Sequence, residues 1–489
     1  MINWRQISKL LGILLFIEAG QLLITLGVSA FYGEDIMPFL WTVLLTIGLG
    51  ICGRLIGRRS GKNMGRKDGY LVVSLVWLLF TLIGMLPFIL SGSIPDVAGA
   101  FFETMSGFTS TGATVIDNID VLPKGILFWR SMTQWIGGIG IIFFTIAILP
   151  AFGAGEVKLF AAEATGPLHD KVHPRISIAV KWIGSVYLGL TVLCIACLLL
   201  CNMSAFDAIN ISMTTTATGG FAPHSAFFHE QYRENAMIIE YIITFFMLCS
   251  GMNYTLLYYT FLKGKFRKFF MDPELKCYLR IVVFCSLVCT LFLTIQRGLS
   301  GMNLEQSFRE SIFTIVSLQT TTGFACSDYT LWPTILMPFI MAVMFAGACS
   351  GSTSGGVKCV RLSILWQVIK GEFVRILHPR AVLAVKLNNN VIATSVQKTL
   401  LAFIALFVCS LFIGIVLLIM SGVDLENSMY VAISAISNVG PTIGYFGPAH
   451  SYAILGVGGK IVCSFLMLIG RLEILPIFIL FTKRFWKEG

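Results

Sequence analysis

Ten apolar runs recur along the chain: Leu11 to Val28, Phe39 to Cys52, Tyr70 to Leu90, Leu127 to Leu149, Ile178 to Cys201, Ala236 to Phe261, Tyr278 to Ile295, Leu336 to Ala348, Leu400 to Met420 and Ile454 to Phe481. A spanning helix needs about 20 mostly apolar residues, so the pattern predicts an all-α polytopic membrane protein. Four shorter amphipathic pieces lie between runs: Ala98 to Phe108, Ala205 to Thr215, Leu304 to Leu318 and Leu425 to Ile436. Each is too short to cross, and each is followed by a small glycine phrase: TSTGAT (Thr109 to Thr114), TATGGF (Thr216 to Phe221), TTTGFA (Thr320 to Ala325) and SNVGPT (Ser437 to Thr442).

Aligned on Gly112, Gly219, Gly323 and Gly440, the phrases recur at 107, 104 and 117 residues (219−112, 323−219, 440−323). A near-constant period marks repeated copies of one unit. Helix, half-helix, loop, helix is the plan of a re-entrant loop, and irregular backbone at membrane depth is tolerated only where it is buried or lines a wet cavity. Four such loops around one axis can replace a cation's water shell with backbone carbonyls. Glycine permits the required turn, and neighbouring hydroxyls add acceptors. The candidate ion-binding residues are Ser110, Thr111 and Gly112; Ala217, Thr218 and Gly219; Thr321, Thr322 and Gly323; and Asn438, Val439 and Gly440.

Composition agrees with a membrane setting: 489 residues, 56% hydrophobic, 12% charged, mean hydropathy +0.83. The net charge of +10 is dispersed over Arg54 to Lys67, Lys158 to Lys181, Lys263 to Arg280, Lys358 to Lys386 and Lys483 to Lys487, not gathered into one nucleic-acid stripe. By the positive-inside rule these segments and both termini are cytoplasmic. The first run lacks a small-residue cleavage site after it and is expected to be a retained helix. The 13 cysteines sit mostly among apolar residues, with no His or carboxylate beside them to make a metal site. GAGEVK lacks the rest of a P-loop, and the absence of a His-Glu-x-x-His pattern or paired membrane acids argues against an intramembrane enzyme.

Phe128 to Pro150 (FWRSMTQWIGGIGIIFFTIAILP), the linker pieces AEATGP and HPRIS (Ala162 to Ser177), and Ile238 to Tyr258 (IIEYIITFFMLCSGMNYTLLY) resemble the Trk, Ktr and HKT superfamily of potassium transporters, specifically its bacterial Trk-type translocating subunit. The two runs before the first repeat resemble the longer Trk type, which implies ten membrane helices. The implied organisation is an extension over 1–68, then pore repeats over 69–157, 158–264, 265–385 and 386–489. The resemblance implies potassium uptake in the bacterial cytoplasmic membrane, a homodimer, surrounding lipid, and a cytoplasmic nucleotide-binding regulatory partner. No cofactor is expected on this chain, only K+ as cargo. Plant relatives that pass sodium have serine at the first filter position, so Gly112 implies preference for potassium. Repeat four departs most, with Asn438 and Val439.

Gly347 to Lys358 (GACSGSTSGGVK) interrupts a run with small and polar residues and reads as a flexible break, or as a close helix contact. The resemblance implies a gate: Gly347, Gly351, Gly355 and Gly356 giving movement, and Ser350, Ser352, Thr353 and Ser354 giving hydrogen bonds. Arg471 is an ionised group inside the last run, expected to face a wet interior or repeat three and not Glu473, two residues on; the resemblance implies an arginine below the filter. Asp117, Asp120, Asp207, Asp328 and Asp424 would attract cations outside, or are solvated loop residues. Glu18 is expected to make a packing or interface hydrogen bond, and His169, His173 and His378 fall in basic linkers. A potassium symporter coupled to protons or sodium is the alternative to channel-like flow, since broken helices and repeats also occur in transporters.

Overall fold

The computed structural model of the chain describes residues 2–58, 65–148, 176–232, 235–298, 301–381, 383–387 and 390–487. His169, His173 and most of the second basic segment lie outside the described residues. The chain opens with α1 (Trp4–Phe31) and α2 (Met37–Ile56). These pack closely through glycines: a β-carbon on Gly12 would stand 2.7 Å from the Gly50 carbonyl oxygen, and one on Gly53 2.8 Å from that of Ser8. Between helices in lipid there is no water to expel, so such backbone approach and van der Waals fit carry the association.

The first unit contains α3 (Arg66–Gly84), the half-helix α4 (Val97–Phe108) and α5 (Lys124–Ile148). The second has α6 (Ile176–Leu200), the half-helix α7 (Ala205–Thr216), then α8 (Ala236–Ser250) and α9 (Tyr254–Phe261). The third has α10 (Pro273–Arg297), α11 (Gly301–Gln319), α12 (Met337–Phe345) and α13 (Cys359–Leu377). The fourth has α14 (Thr394–Met420), the half-helix α15 (Leu425–Ser437), α16 (Val457–Arg471) and α17 (Leu475–Leu480). Side chains fix where the half-helices begin. Asp96 accepts from the Ala98 and Gly99 amides, Ser204 from Asp207, and Asp424 from Asn427, each satisfying donors that the first turn leaves free.

Among the described residues six helices are long and apolar enough to cross a membrane unbroken: Trp4–Phe31, Met37–Ile56, Lys67–Leu90, Lys181–Leu200, Pro273–Arg297 and Thr394–Met420. The expected single helix over Ala236 to Phe261 is instead bent by 104° between α8 and α9. The run Leu336 to Ala348 keeps only α12 before the chain unwinds, and Ile454 to Phe481 breaks where Glu473 and Ile474 take positive φ. The small and polar residues of 347–358 announced the second break; the bend at 251–253 was not visible in hydropathy, because its backbone groups are satisfied by distant partners. Cys349 N–H donates to Gly251 O at 3.0 Å, Tyr254 N–H to Gly351 O at 3.1 Å, and Asn253 Nδ2 to Ser350 O at 2.7 Å. Each break supplies what the other lacks, as an interior at membrane depth requires.

One buried apolar cluster joins units one and four through residues such as Trp129, Phe108, Tyr452 and Leu466; another joins units two and three through Tyr187, Tyr254, Tyr278 and Phe313. The all-α expectation holds for the helical body, but Lys386–Leu387 pairs antiparallel with Asn390–Val391, Lys386 opposite Val391. All cysteines are free, with Cys52 and Cys409 on exposed helix faces instead of in the interior. Glu18 is fully buried and neither of its oxygens finds a hydrogen-bond partner among the described residues, so the bond expected of it is absent there.

Candidate functional site

The half-helices α4, α7 and α15 and the longer α11, 19 residues where the sequence predicted a piece too short to cross, end in one shared turn. Ser110, Thr218, Thr321 and Asn438 take left-handed backbone, with φ of 52°, 52°, 56° and 57°. The next amide then reaches back five residues: Thr111 to Ser106 O (2.8 Å), Gly219 to Thr214 O (2.9 Å), Thr322 to Ser317 O (2.8 Å) and Val439 to Ser434 O (3.0 Å). This is the bond that closes a helix through a left-handed residue. Asn adopts that conformation readily, whereas Ser and Thr hold it at a cost of about 1–2 kcal/mol each. One residue further stands a positive-φ glycine: Gly112 (87°), Gly220 (79°), Gly323 (80°) and Gly440 (100°).

The register of the second loop therefore differs from the one read along the chain. Gly220, and not Gly219, matches Gly112, Gly323 and Gly440, while Gly219 takes the place of Thr111, Thr322 and Val439, and Ala217 that of Thr109, Thr320 and Ser437. Two adjacent glycines made the phrase ambiguous in sequence; backbone conformation separates them.

The loops abut one another cyclically. A β-carbon on Gly112 would strike the Gly219 carbonyl oxygen, one on Gly220 that of Thr322, and one on Gly323 that of Val439; on Gly440 it would lie 2.5 Å from that of Thr111. Loop one meets two, two meets three, three meets four, and four returns to one. No larger residue fits at these glycines without moving backbone, and the carbonyls of Thr111, Gly219, Thr322 and Val439 stand at equivalent places around the ring.

Side chains from behind brace this ring, and the sequence reading did not single them out. Glu103 of α4 accepts from the Val115 amide (2.9 Å), Thr114 Oγ1 (3.0 Å) and Arg130 Nε (2.9 Å). Arg130, on α5, also donates to Ala222 O at 3.1 Å and lies over the Phe221 ring at 4.2 Å. Gln134, one turn on, binds the second loop at both ends of its amide. In loop four, Ser434 Oγ and Tyr452 Oη donate to Gly440 O at 2.8 and 2.7 Å. Arg130, Glu103 and Gln134 were discoverable by the signal that marked Arg471, a strongly polar residue within an apolar or pore-helix stretch.

Above the ring lies a cavity of about 130 Å³, lined among others by Gly112, Gly220, Gly323, Pro441, His224 and Tyr452. His224 joins two units at its rim, Nδ1 to Asp120 at 2.9 Å and Nε2 to Asp207 at 3.2 Å. Its hydrogen bond with Asp207, aided by Asp120 against partial burial, raises its basicity above that of an ordinary histidine. Partial burial pushes the Asp120 carboxyl up, but the His224 and Ser225 hydrogen bonds outweigh it and hold the group below the usual range. The other carboxylates singled out along the chain are also engaged: Asp117 with Ser451 of the fourth unit, Asp328 with Thr330, and Asp424 with Asn427.

Beneath the ring, residues 347–358 form a packed plug. Gly347 N–H donates to Val357 O and Cys359 N–H to Ala348 O, both at 3.0 Å. A β-carbon on Gly347 would collide with the Gly355 carbonyl, and one on Gly355 with that of Ser437, while Gly351 and Gly356 take φ of 69° and 66°. Close approach at Gly347 and Gly355 and left-handed turns at Gly351 and Gly356 fit the close-contact alternative that the sequence left open beside a flexible break. Ser350 turns away to Glu274, which accepts its amide (2.6 Å) and hydroxyl (2.8 Å), and Ser352 and Ser354 bond each other at 2.8 Å. Lys358 donates to the carbonyl of Ser354 and, at 3.2 Å, to its hydroxyl.

Contact with the ring falls to Thr353 and Gly355. Thr218 Oγ1 donates to Thr353 Oγ1 at 3.1 Å, and Gly355 N–H to Thr321 Oγ1 at 2.7 Å. Arg471 lies beside them, Nη1 donating to Thr353 O (2.7 Å) and Nη2 to Ser110 Oγ (3.1 Å) and Gly137 O (2.9 Å). It meets repeat three, as expected, while Glu473 pairs with Arg361 at 2.6 Å. Ser110, Thr218 and Thr321 thus engage Arg471 and the plug, and Asn438 Nδ2 donates across to Thr111 Oγ1 (3.0 Å) and Met467 O (2.8 Å). Among the described residues no group of three or more His, Cys, Asp or Glu could hold a metal ion.

A family model described as TrkH, cation transport protein, matches residues 40–488. The chain is similar to the Trk system potassium uptake protein TrkH of Escherichia coli strain K12, 34% identical over 496 residues that cover 99% of this chain and 100% of that protein. It is 32% identical over 492 residues to the Trk system potassium uptake protein TrkG of the same strain, covering 99% of each. It superposes on the crystal structure of the potassium transporter TrkH from Vibrio parahaemolyticus with a TM-score of 0.90 at 32% identity, over 99% of this chain and 100% of that one.

Proposed function

We propose that this chain, which belongs to the TrkH cation transport family and is a multi-pass Trk-type potassium uptake transporter, passes K+ through the ring of four loops. The observation that carries the reading is the cyclic contact of four left-handed glycines with the carbonyls of Thr111, Gly219, Thr322 and Val439. Such a ring offers a dehydrated monovalent ion the oxygens that replace its water. The filter residues are Ser110, Thr111 and Gly112; Thr218, Gly219 and Gly220; Thr321, Thr322 and Gly323; and Asn438, Val439 and Gly440. Residues 347–358 and Arg471 close the path from below, and flow through the open path is channel-like. The chain works as a homodimer with both termini cytoplasmic, opened by a nucleotide-binding regulatory protein on the basic cytoplasmic face.

The test is cation flux into sealed liposomes holding the purified protein, with potassium or sodium outside, for wild type and Gly323→Ser. Flux selective for potassium in the wild type and less selective in the variant is expected; a selectivity that Gly323→Ser leaves untouched would remove Gly323 from the filter. The register of loop two has its own test. Gly220→Ala must adopt left-handed backbone and displace the Thr322 carbonyl, whereas Gly219→Ala meets only the Gln134 side chain. We expect Gly220→Ala to lower K+ uptake about tenfold further than Gly219→Ala, as strain of about 1–3 kcal/mol at a functional loop would. Equal losses, with Gln134→Met leaving uptake unchanged, would restore the sequence-based register.

A further inference from the structure

Gln134 is fully buried on α5, directly behind the second loop. Chemistry fixes which way its amide points. Phe221 N–H can only donate, so Oε1 takes it at 3.0 Å, and Nε2 is left to donate to the Gly219 carbonyl at 2.6 Å. That carbonyl is the second loop's member of the ring.

The other loops are braced elsewhere. Side-chain donors reach Gly440 O in loop four and Phe324 O in loop three, the latter from Ser317 Oγ at 2.6 Å, and in loop one Glu103 takes the Val115 amide. Among the described residues no side-chain donor is bonded to the carbonyls of Thr111, Thr322 or Val439. The ring is therefore unequal: three carbonyls unengaged by side chains, and one tied from behind to a rigid helix.

We infer that Gln134 is a specificity-determining positioning residue, which holds the Gly219 carbonyl at the radius that suits potassium and resists the contraction a smaller ion needs. The inference rests on the four-loop reading above. A sodium ion is satisfied only if the oxygens close in, and loops can close in only as far as their backing allows. Loop two is held at its ring carbonyl and again, two residues later, at the Phe221 amide. The tied carbonyl keeps a second lone pair for the ion, so it remains a ligand while its travel is restricted.

The experiment is the potassium-to-sodium permeability ratio, read from reversal potentials of the full chain in planar bilayers or from paired fluxes in liposomes, for wild type, Gln134→Met and Gln134→Glu. Met keeps the length and loses both bonds. Glu keeps the shape and the bond from Phe221 N–H, and it lacks a proton for Gly219 only while ionised, so its ratio is followed as pH rises. We expect both to lower the ratio by about threefold to tenfold, the range given by loss of one or two hydrogen bonds. Should Gln134→Met not fold, Gln134→Glu alone decides. A selective wild type with the ratio unchanged in the folded variants overturns the role of Gln134 and leaves the four-loop filter standing, whereas a wild type with no preference overturns both.

Discussion

Arg471→Gln is expected to raise potassium flux through the protein alone by about two orders of magnitude. The side chain is only 3% exposed and lies between Thr353 of the plug and Ser110 of the first loop, with its fork divided among three oxygens. A cation passing about 6 Å from its charge meets a barrier of about 3 kcal/mol at an effective dielectric of about 20, or roughly a hundredfold in rate. Glutamine retains one donor for Thr353 and removes the charge. Arg471→Lys separates the two contributions, because it keeps the charge and loses the fork. If charge is the barrier, the lysine variant stays nearly silent; if the fork holds the plug, both variants leak. Rubidium or potassium influx into liposomes without any regulator reads both, and silence in both variants would show that Arg471 does not close the path.

The largest loss of stability is expected from Arg130→Met. Arg130 and Glu103 are 1% and 0% exposed and their ion pair is 2.9 Å long. Breaking a buried pair by removing one partner leaves the other charge stranded and costs about 3–5 kcal/mol. Here the stranded carboxylate also anchors the Val115 amide and Thr114, so the damage falls on loop one and, through Ala222, on loop two. The melting temperature in detergent should fall, and potassium uptake with it. Adding Glu103→Gln to Arg130→Met should recover part of the melting temperature, because two neutral groups are cheaper to bury than one lone charge. A single variant that melts like wild type would show that the pair does not hold the loops.

Much of this was legible along the chain. The apolar runs, the four half-helices, the glycine phrases and the isolated charge of Arg471 are local features, and each is written in residues close together in sequence. The bent pair at 251–253 was not legible, because Ala236 to Phe261 reads as one apolar run and its break depends on Gly351 and Ser350, about a hundred residues away. The bracing by Arg130, Glu103 and Gln134 was half legible: their polarity was visible, their targets were not.

The sequence by itself determined that this is a membrane protein of four repeated units with a glycine turn in each, because hydropathy, caps and turn chemistry act over a few residues. Only the tertiary structure decided that Gly220 and not Gly219 takes the left-handed place, and which carbonyls face which glycines. Those are matters of backbone meeting backbone across units, and a distance of a few ångströms between segments a hundred residues apart leaves no mark on the local pattern.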